Sequence, residues 1–272
     1  MILADYLVNG QQLTGEHSSL IVGTTHFTSI SPRIDSVTVN GRNGVLLPAG
    51  PLAFDAPEIT LKFITDGPDA DALMHRFYRL CRLAAELTRV ERDTVSGLTR
   101  RMTASAVCTS CLPDGDEIPW SDHRAATAVF QLPDVFWQGD WQTATLASSG
   151  GVFLHGEAKN GSEGWCSNAP LLNLILRFSN VSSVTVSDPV TGTDIKWSGS
   201  NASNLYLDAI NRHAWTSGSN LAWDGGSDVT SGIDWTGEPL QVWPAVDSGS
   251  YALRIKQSGT SAVTCRYKPS WE

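Results

Sequence analysis

The chain has 272 residues, of which 41% are hydrophobic and only 17% charged, with ten Trp, a formal net charge of −9 and a pI near 5.1. That length fits one large domain or two ordinary ones, and the aromatic content excludes global disorder. The acidic balance excludes a sequence-blind nucleic-acid binder, which needs a basic face, and no apolar run reaches the roughly 20 residues of a membrane-spanning helix. In chain order, Ser36 to Leu47 carries two Asn-Gly dipeptides between β-rich flanks and predicts a hairpin. Ile59 to Ile64 alternates as a strand. Asp66-Gly-Pro-Asp-Ala-Asp then opens a helix, with Pro68 in the first turn and acidic residues where the dipole favours them. Leu73, Phe77, Leu80, Ala84 and Leu87 recur at helical spacing and predict a helix over 69–87. Arg100 to Cys108 and Arg124 to Leu132 alternate as further strands.

Composition changes near Gln142. Residues 1–142 hold 11 Lys and Arg against 17 Asp and Glu, a net of −6; from Thr143 onward the counts are 8 and 11, a net of −3. The later half is rich in Ser, Thr, Asn and Gly, and its apolar runs are short. They fall at Leu172 to Phe178, Ser183 to Val186, Asp194 to Trp197, Asn204 to Leu207, Leu240 to Trp243, Tyr251 to Lys256 and Ala262 to Tyr267. Runs of this spacing, with turn residues between, predict a β-sandwich. The expected organisation is therefore a mainly β chain of two domains, 1–142 with the single helix and 143–272 as the sandwich.

Catalytic and metal signals are weak. Cys108-Thr-Ser-Cys111 has half of a zinc pattern, without a second pair or spaced histidines, and it closes a strand instead of preceding a helix as a thioredoxin-type pair does. The odd count of five cysteines and an N-terminus without n- or h-region point to reduced thiols in a cytoplasmically made protein without secretory signal. A glycosidase needs two facing carboxylates, but Asp208, Asp224, Asp228 and Asp234, like Glu157, Glu163 and Glu238, lie among turn formers, where Asp bonds its own backbone. No cofactor, metal or enzyme activity is expected. Two groups are candidates for contact surfaces. Trp215, Trp223 and Trp235 lie in a turn-rich segment, 211–237, where exposed aromatics would anchor sugars or proteins; Trp197 and Trp243 end strands and suit a core or rim. Arg76, Arg79, Arg82, Arg89 and Arg92, along and after the helix, form either a solvated face or a patch for acidic groups of a neighbouring subunit.

The order of these features resembles the distal tail proteins of long non-contractile-tailed bacteriophages. The resemblance is carried by the Val39-Asn-Gly-Arg-Asn-Gly44 hairpin and the Ile59 to Ile64 strand before one helix. It continues through the Ala128-Val-Phe-Gln-Leu-Pro-Asp-Val-Phe-Trp137 strand end, the Asn168-Ala-Pro opening of the sandwich, and the Thr191-Gly-Thr-Asp-Ile195 hairpin leading to Leu205-Tyr-Leu-Asp208. The Trp-rich segment 211–237 departs from the pattern. The resemblance implies a split-barrel-like belt domain followed by a galectin-like sandwich. It also implies a structural virion protein: a homo-hexameric ring at the distal end of the tail tube, between the tube protein and the tail hub, with sandwiches that carry receptor-binding or other peripheral proteins. DNA would pass through the lumen without specific binding, which an acidic belt suits. Arg42 and Asn43 in the hairpin, with Arg76, Arg79 and Arg82, are the candidate ring or partner contacts, chosen for charge and expected exposure. A carbohydrate-binding module for host attachment is the alternative reading.

Overall fold

The computed structural model describes residues 2–25, 28–33, 37, 38, 40, 43, 45, 46, 53–95, 97–114, 122–153 and 167–272. Arg42 and most of the Asn-Gly turn, together with Glu157, Glu163 and Cys166, lie outside these residues. The chain divides into two compact units, one of Met1–Arg33, Ala53–Gly139 and Glu272, the other of Ile34–Leu52 and Asp140–Trp271.

In the first unit, β1 (Ile2–Val8), β2 (Gln11–Gln12), β3 (Ser18–Leu20) and β4 (Pro32–Arg33) open the chain. Next in sequence, within the stretch 34–52 that belongs to the second unit, the expected hairpin forms as β5 (Val37–Thr38) and β6 (Val45–Leu46), with Val37 opposite Leu46. Then come β7 (Ala53–Phe54), β8 (Glu58–Asp66), helix α1 (Ala70–Arg82), β9 (Glu86–Asp93), β10 (Thr99–Ser105), β11 (Val107–Pro113), β12 (His123–Gln131) and β13 (Trp137–Gln138). One antiparallel sheet runs β2-β1-β9-β10-β13 and a second runs β11-β12-β8-β3. The expected single strand from Arg100 to Cys108 is two strands. At Ala106, which is buried, the backbone N–H turns to the Ala85 carbonyl, and the chain passes from the first sheet to the second.

Helix α1 lies on the inner face of the second sheet. Strict alternation puts Ile59, Leu61 and Phe63 of β8 and Ala126, Ala128 and Phe130 of β12 inward, all buried. The small Ala pair leaves room for the helix, and Phe77 stacks on Phe63 with ring centroids 4.3 Å apart. The helix buries Ala70, Met74, Phe77 and Cys81; of the expected stripe it buries only Phe77, with Leu73 and Leu80 half-buried and Ala84 and Leu87 beyond its end. It also ends earlier than its apolar periodicity predicts. Asn9, at φ 49°, donates from Nδ2 to the Leu83 carbonyl (2.7 Å), and its Oδ1 accepts the N–H groups of Ala85 (2.9 Å) and Glu86 (3.0 Å). A side chain more than seventy residues upstream thus satisfies the backbone groups at the helix end and starts β9, in which Leu87 is buried as a strand residue.

The second unit is built on two long strands, β16 (Leu174–Ser187) and β17 (Asp194–Asp208). The shorter β14 (Gln142–Leu146), β15 (Gly150–Phe153), β18 (His213–Thr216), β19 (Ser227–Asp228), β20 (Tyr251–Gln257), β21 (Val263–Tyr267) and β22 (Ser270–Trp271) complete the chain. Where four short strands are predicted, β16 and β17 run through, and the polar Ser198 to Ser203 run is strand, not loop. A register shift absorbs it: Val181 faces Ala202, but Ser183 faces Ser198. The first half of β16 pairs with β21 and its second half with β20, so both lie along one edge of the same strand. The enclosed core contains Leu146, Phe153, Leu174, Leu176, Phe178, Leu205, Leu207, Tyr251 and Val263. Leu240 to Trp243, expected as a strand, is not part of a ladder. It buries Leu240 and Val242 and ties to the β16–β17 hairpin through Gln241, whose N–H donates to Thr193 Oγ1 at 2.9 Å.

Candidate functional site

The arginines expected as one surface group divide. Arg89 is a correction: it stands on β9 and is buried, because it pairs with Glu91, itself buried. Glu91 also accepts from Arg100 of β10, its cross-strand neighbour, at 2.5 Å (Nη2) and 3.2 Å (Nε). Burial pulls the Arg100 guanidinium below its ordinary pKa, and the Glu91 carboxylate opposes that shift. Two cations around one carboxylate inside the fold are structure, not contact surface. On the helix, Arg76 is half-buried and donates to the Gln12 carbonyl (3.3 Å) and to Gln11 Oε1 (3.4 Å), which ties α1 to β2. Arg79 and Arg82 are exposed in the last turn, where cations also complement the helix dipole. Asn43 is exposed. Of the five contact candidates, Arg79, Arg82 and Asn43 present themselves to solvent, Arg76 only in part, and Arg42 lies outside the described residues.

Among the tryptophans, Trp215 is the second correction. It is 4% exposed and lies flat on Tyr206, with centroids 5.5 Å apart and planes 4° apart. Its Nε1 donates to the Ala222 carbonyl at 2.8 Å, while the Tyr206 hydroxyl donates to the Ser219 carbonyl and accepts from the Ala222 N–H. Trp223 meets the same Tyr206 edge-on at 5.4 Å and is half-buried. The segment from 211 to 237 is therefore not a structureless loop: β18, β19 and a 3₁₀ turn (Thr230–Gly232) fold it back on β17. There Trp197 Nε1 donates to the Val229 carbonyl (3.0 Å), and Gly232 packs so closely that a Cβ would stand 2.6 Å from that nitrogen. Trp235 alone of the three stands out, 56% exposed, with the Arg212 guanidinium 5.6 Å from its ring centroid.

Two open grooves stand out among the described residues of this unit. One, of about 710 Å³, is lined by the Val190–Asp194 hairpin turn, Glu238, Gln241, Trp243 and Val246. The other, of about 600 Å³, is floored by Trp197 and rimmed by the Ser198–Ser203 run. A further exposed aromatic, Trp141, lies under two cations, Arg266 at 4.8 Å and Lys268 at 5.4 Å. Sequence reasoning missed it because Trp141 precedes β14, and only the β14–β21 pairing brings residues 266 and 268 beside it. Three of the carboxylates bond locally as their turn contexts predict, while Asp224 stands 3.8 Å from Arg266 Nη1. Asp208 accepts from Asn211, Asp228 from the Thr230 N–H at 2.8 Å, and Asp234 from Thr236 Oγ1 at 2.7 Å. Hydrogen bonds from Thr230 and Thr236 hold Asp228 and Asp234 below the usual carboxylate range. Among the described residues, no group of three or more His, Cys, Asp or Glu is arranged to hold a metal ion, and no helix is long and apolar enough to cross a membrane.

The geometry defines a mainly β protein with exposed polar and aromatic side chains and open grooves. No family model and no curated protein matches the sequence. Among solved structures, the Dit (gp 19.1) protein of phage SPP1, described as a paradigm of the hub adsorption apparatus in phages infecting Gram-positive bacteria, aligns over 99% of this chain and 100% of its own. The identity is 16% and the TM-score 0.61. A chain of the phage P2 baseplate in its activated conformation with Ca aligns over 98% of both chains at 10% identity and a TM-score of 0.42. The chain has the fold of the SPP1 distal tail protein, the β-rich fold with one helix that the sequence resemblance implies.

Proposed function

We propose that the chain is a non-enzymatic structural protein of a phage tail tip, forming a homo-hexameric ring between the distal end of the tail tube and the tail hub. The observation that carries this reading is the end-to-end match to SPP1 Dit, which spans both units. Residues 1–142 act as the ring-forming belt and 143–272 as a galectin-like sandwich that receives peripheral or receptor-binding proteins. Arg79, Arg82 and Asn43 are its ring or partner contacts, with Arg42 and Arg76 beside them; the net charge of −6 over residues 1–142 keeps a lumen from gripping passing DNA. A heterologous contact that closes by rotation suits such a ring, and β3 and β11 end the second sheet of the first unit with ladder edges to offer. The virion is the place of action, after assembly in the host cytoplasm.

Native mass measurement and electron microscopy of the purified protein, alone and mixed with its tube protein, test this. Six-subunit rings are expected, and a monomer under every assembly condition overturns the reading. A sugar-binding role for the sandwich is the second reading, favoured by the exposed Trp235 and by the groove that joins Trp243 to Asp194, Glu238 and Gln241. Binding on a glycan array that Trp235→Ala or Trp223→Ala removes would support it.

A further inference from the structure

The outer face of the sandwich sheet carries cations in neighbouring rows. Arg177 of β16 stands opposite Thr264 of β21 and Ile175 opposite Arg266, while Arg266 stands opposite Thr143 of β14. One step further in the same register, Lys268 comes beside Trp141. Leu174, Leu176, Cys265 and Tyr267 are buried, so alternation sends Thr143, Arg177, Arg266 and Lys268 outward. Part of this face is covered by the segment 217–224. Arg177 Nη1 donates to the Asn220 carbonyl at 2.6 Å, and Trp215 and Trp223 pack on Tyr206. The cover reaches Asp224, whose fully exposed carboxylate stands 3.8 Å from Arg266 Nη1. Beyond it, Trp141, Thr143 and Thr145 are exposed, and Arg266 and Lys268 are half-buried.

This open part is cationic in a chain of net charge −9. Arg266 lies 4.8 Å and Lys268 5.4 Å from the Trp141 ring centroid, so one indole positions both charged heads. Among the described residues, Lys268 has no ion-pair partner and Arg266 has Asp224 at long range. The two cations are two residues apart on one strand, about 7 Å, which is also the spacing of alternate side chains on another extended segment. Strand β14 ends its sheet, so its far edge has backbone groups to pair. A long polyanion fits this face less well. Asp208, opposite Ile175, and Asp228, opposite Trp215, stand on the same face across the sheet, so a phosphate polymer would run from the cations into carboxylates. A short acidic segment meets the cations alone.

We propose that Trp141, Arg266 and Lys268 form a docking site for an acidic, extended segment of a partner protein, which lies along β14 with carboxylates at alternate positions on the two cations. Arg266 and Lys268 contact the carboxylates, and Trp141 is a positioning residue. Asp224 is the internal carboxylate that competes for Arg266. The proposal rests on the reading of the sandwich as a carrier of partner proteins; the ring does not depend on it.

The probe is a fluorescein-labelled octapeptide of alternating Glu and Thr, titrated with the full chain at low salt and followed by anisotropy. Binding should weaken roughly three-fold for Arg266→Gln and for Lys268→Gln, about ten-fold for the two together, and fade in about 0.3 M salt. Asp224→Asn should tighten it about two-fold. Trp141→Ala should weaken it and Trp141→Phe restore it. Amide exchange along Gln142–Leu146 should slow on binding. Lys256→Gln removes an equal charge from the exposed side of β20 and should change nothing. Equal binding of a Gln–Thr peptide, an equal loss in Lys256→Gln, no binding at about 1 mM protein, or tighter binding of inorganic polyphosphate would each overturn the proposal. The doubly substituted protein should keep the parent's native mass, which separates lost docking from a lost ring; a changed mass would make the patch a subunit contact and overturn the proposal too.

Discussion

At the scale of single residues, aromatic type says nothing of direction. Trp215 and Trp235 occur in the same turn-rich segment, yet one is stacked inside the fold and the other is exposed. Trp215→Ala is therefore expected to destabilise the protein by about 3–5 kcal/mol, the range for deleting a buried aromatic ring, in urea unfolding followed by circular dichroism. Trp235→Ala should stay within about 0.5 kcal/mol of the parent. The Arg89–Glu91–Arg100 group is the charged counterpart. Glu91→Ala leaves two guanidinium groups facing each other in the interior and should cost about 3–5 kcal/mol by the same measurement.

At the scale of elements, ends and bends are decided by remote groups. The helix stops at Arg82 because Asn9 takes over the backbone groups that follow. Asn9→Ala removes three hydrogen bonds and places a Cβ-branched-free but still strained residue at φ 49°, so a loss of about 1–3 kcal/mol is expected, with faster amide exchange at Ala85 and Glu86 as the local readout. At the turn between β14 and β15, Gly150 has φ 97°, and a Cβ there would lie 2.1 Å from the Leu253 carbonyl oxygen of β20. Gly150→Ala cannot be accommodated without parting β15 from β20, and lowered thermal stability with loss of amide protection along β20 is expected.

At the scale of the whole molecule, buried hydroxyls and thiols set an alkaline limit. Burial pushes Tyr6, Tyr251 and Tyr267 up to about 12 and Cys265 to about 12. A folded pKa above the unfolded one means that the native state holds its proton longer. The stability it contributes is complete below the unfolded pKa of 9 for the thiol and 10 for the tyrosines, and is lost as pH rises to about 12. Unfolding should therefore set in above about pH 9 and track a late, cooperative rise in tyrosinate absorbance. Early, independent titration of these tyrosines would contradict their burial.

Much of this was legible in the chain. The β-rich character, the hairpin at residues 37–46, strand β8, the single helix and the change of composition near Gln142 follow from local alternation, Asn-Gly turn chemistry and helical periodicity. These depend on neighbours a few residues away, which is what a sequence displays. Only the tertiary structure decided that α1 ends at Arg82, that Ser198 to Ser203 belongs to one long strand, and that Arg89 and Trp215 are interior. The helix end turns on Asn9, more than seventy residues upstream, and the others on strand pairing and a register shift, and a linear pattern carries no record of either.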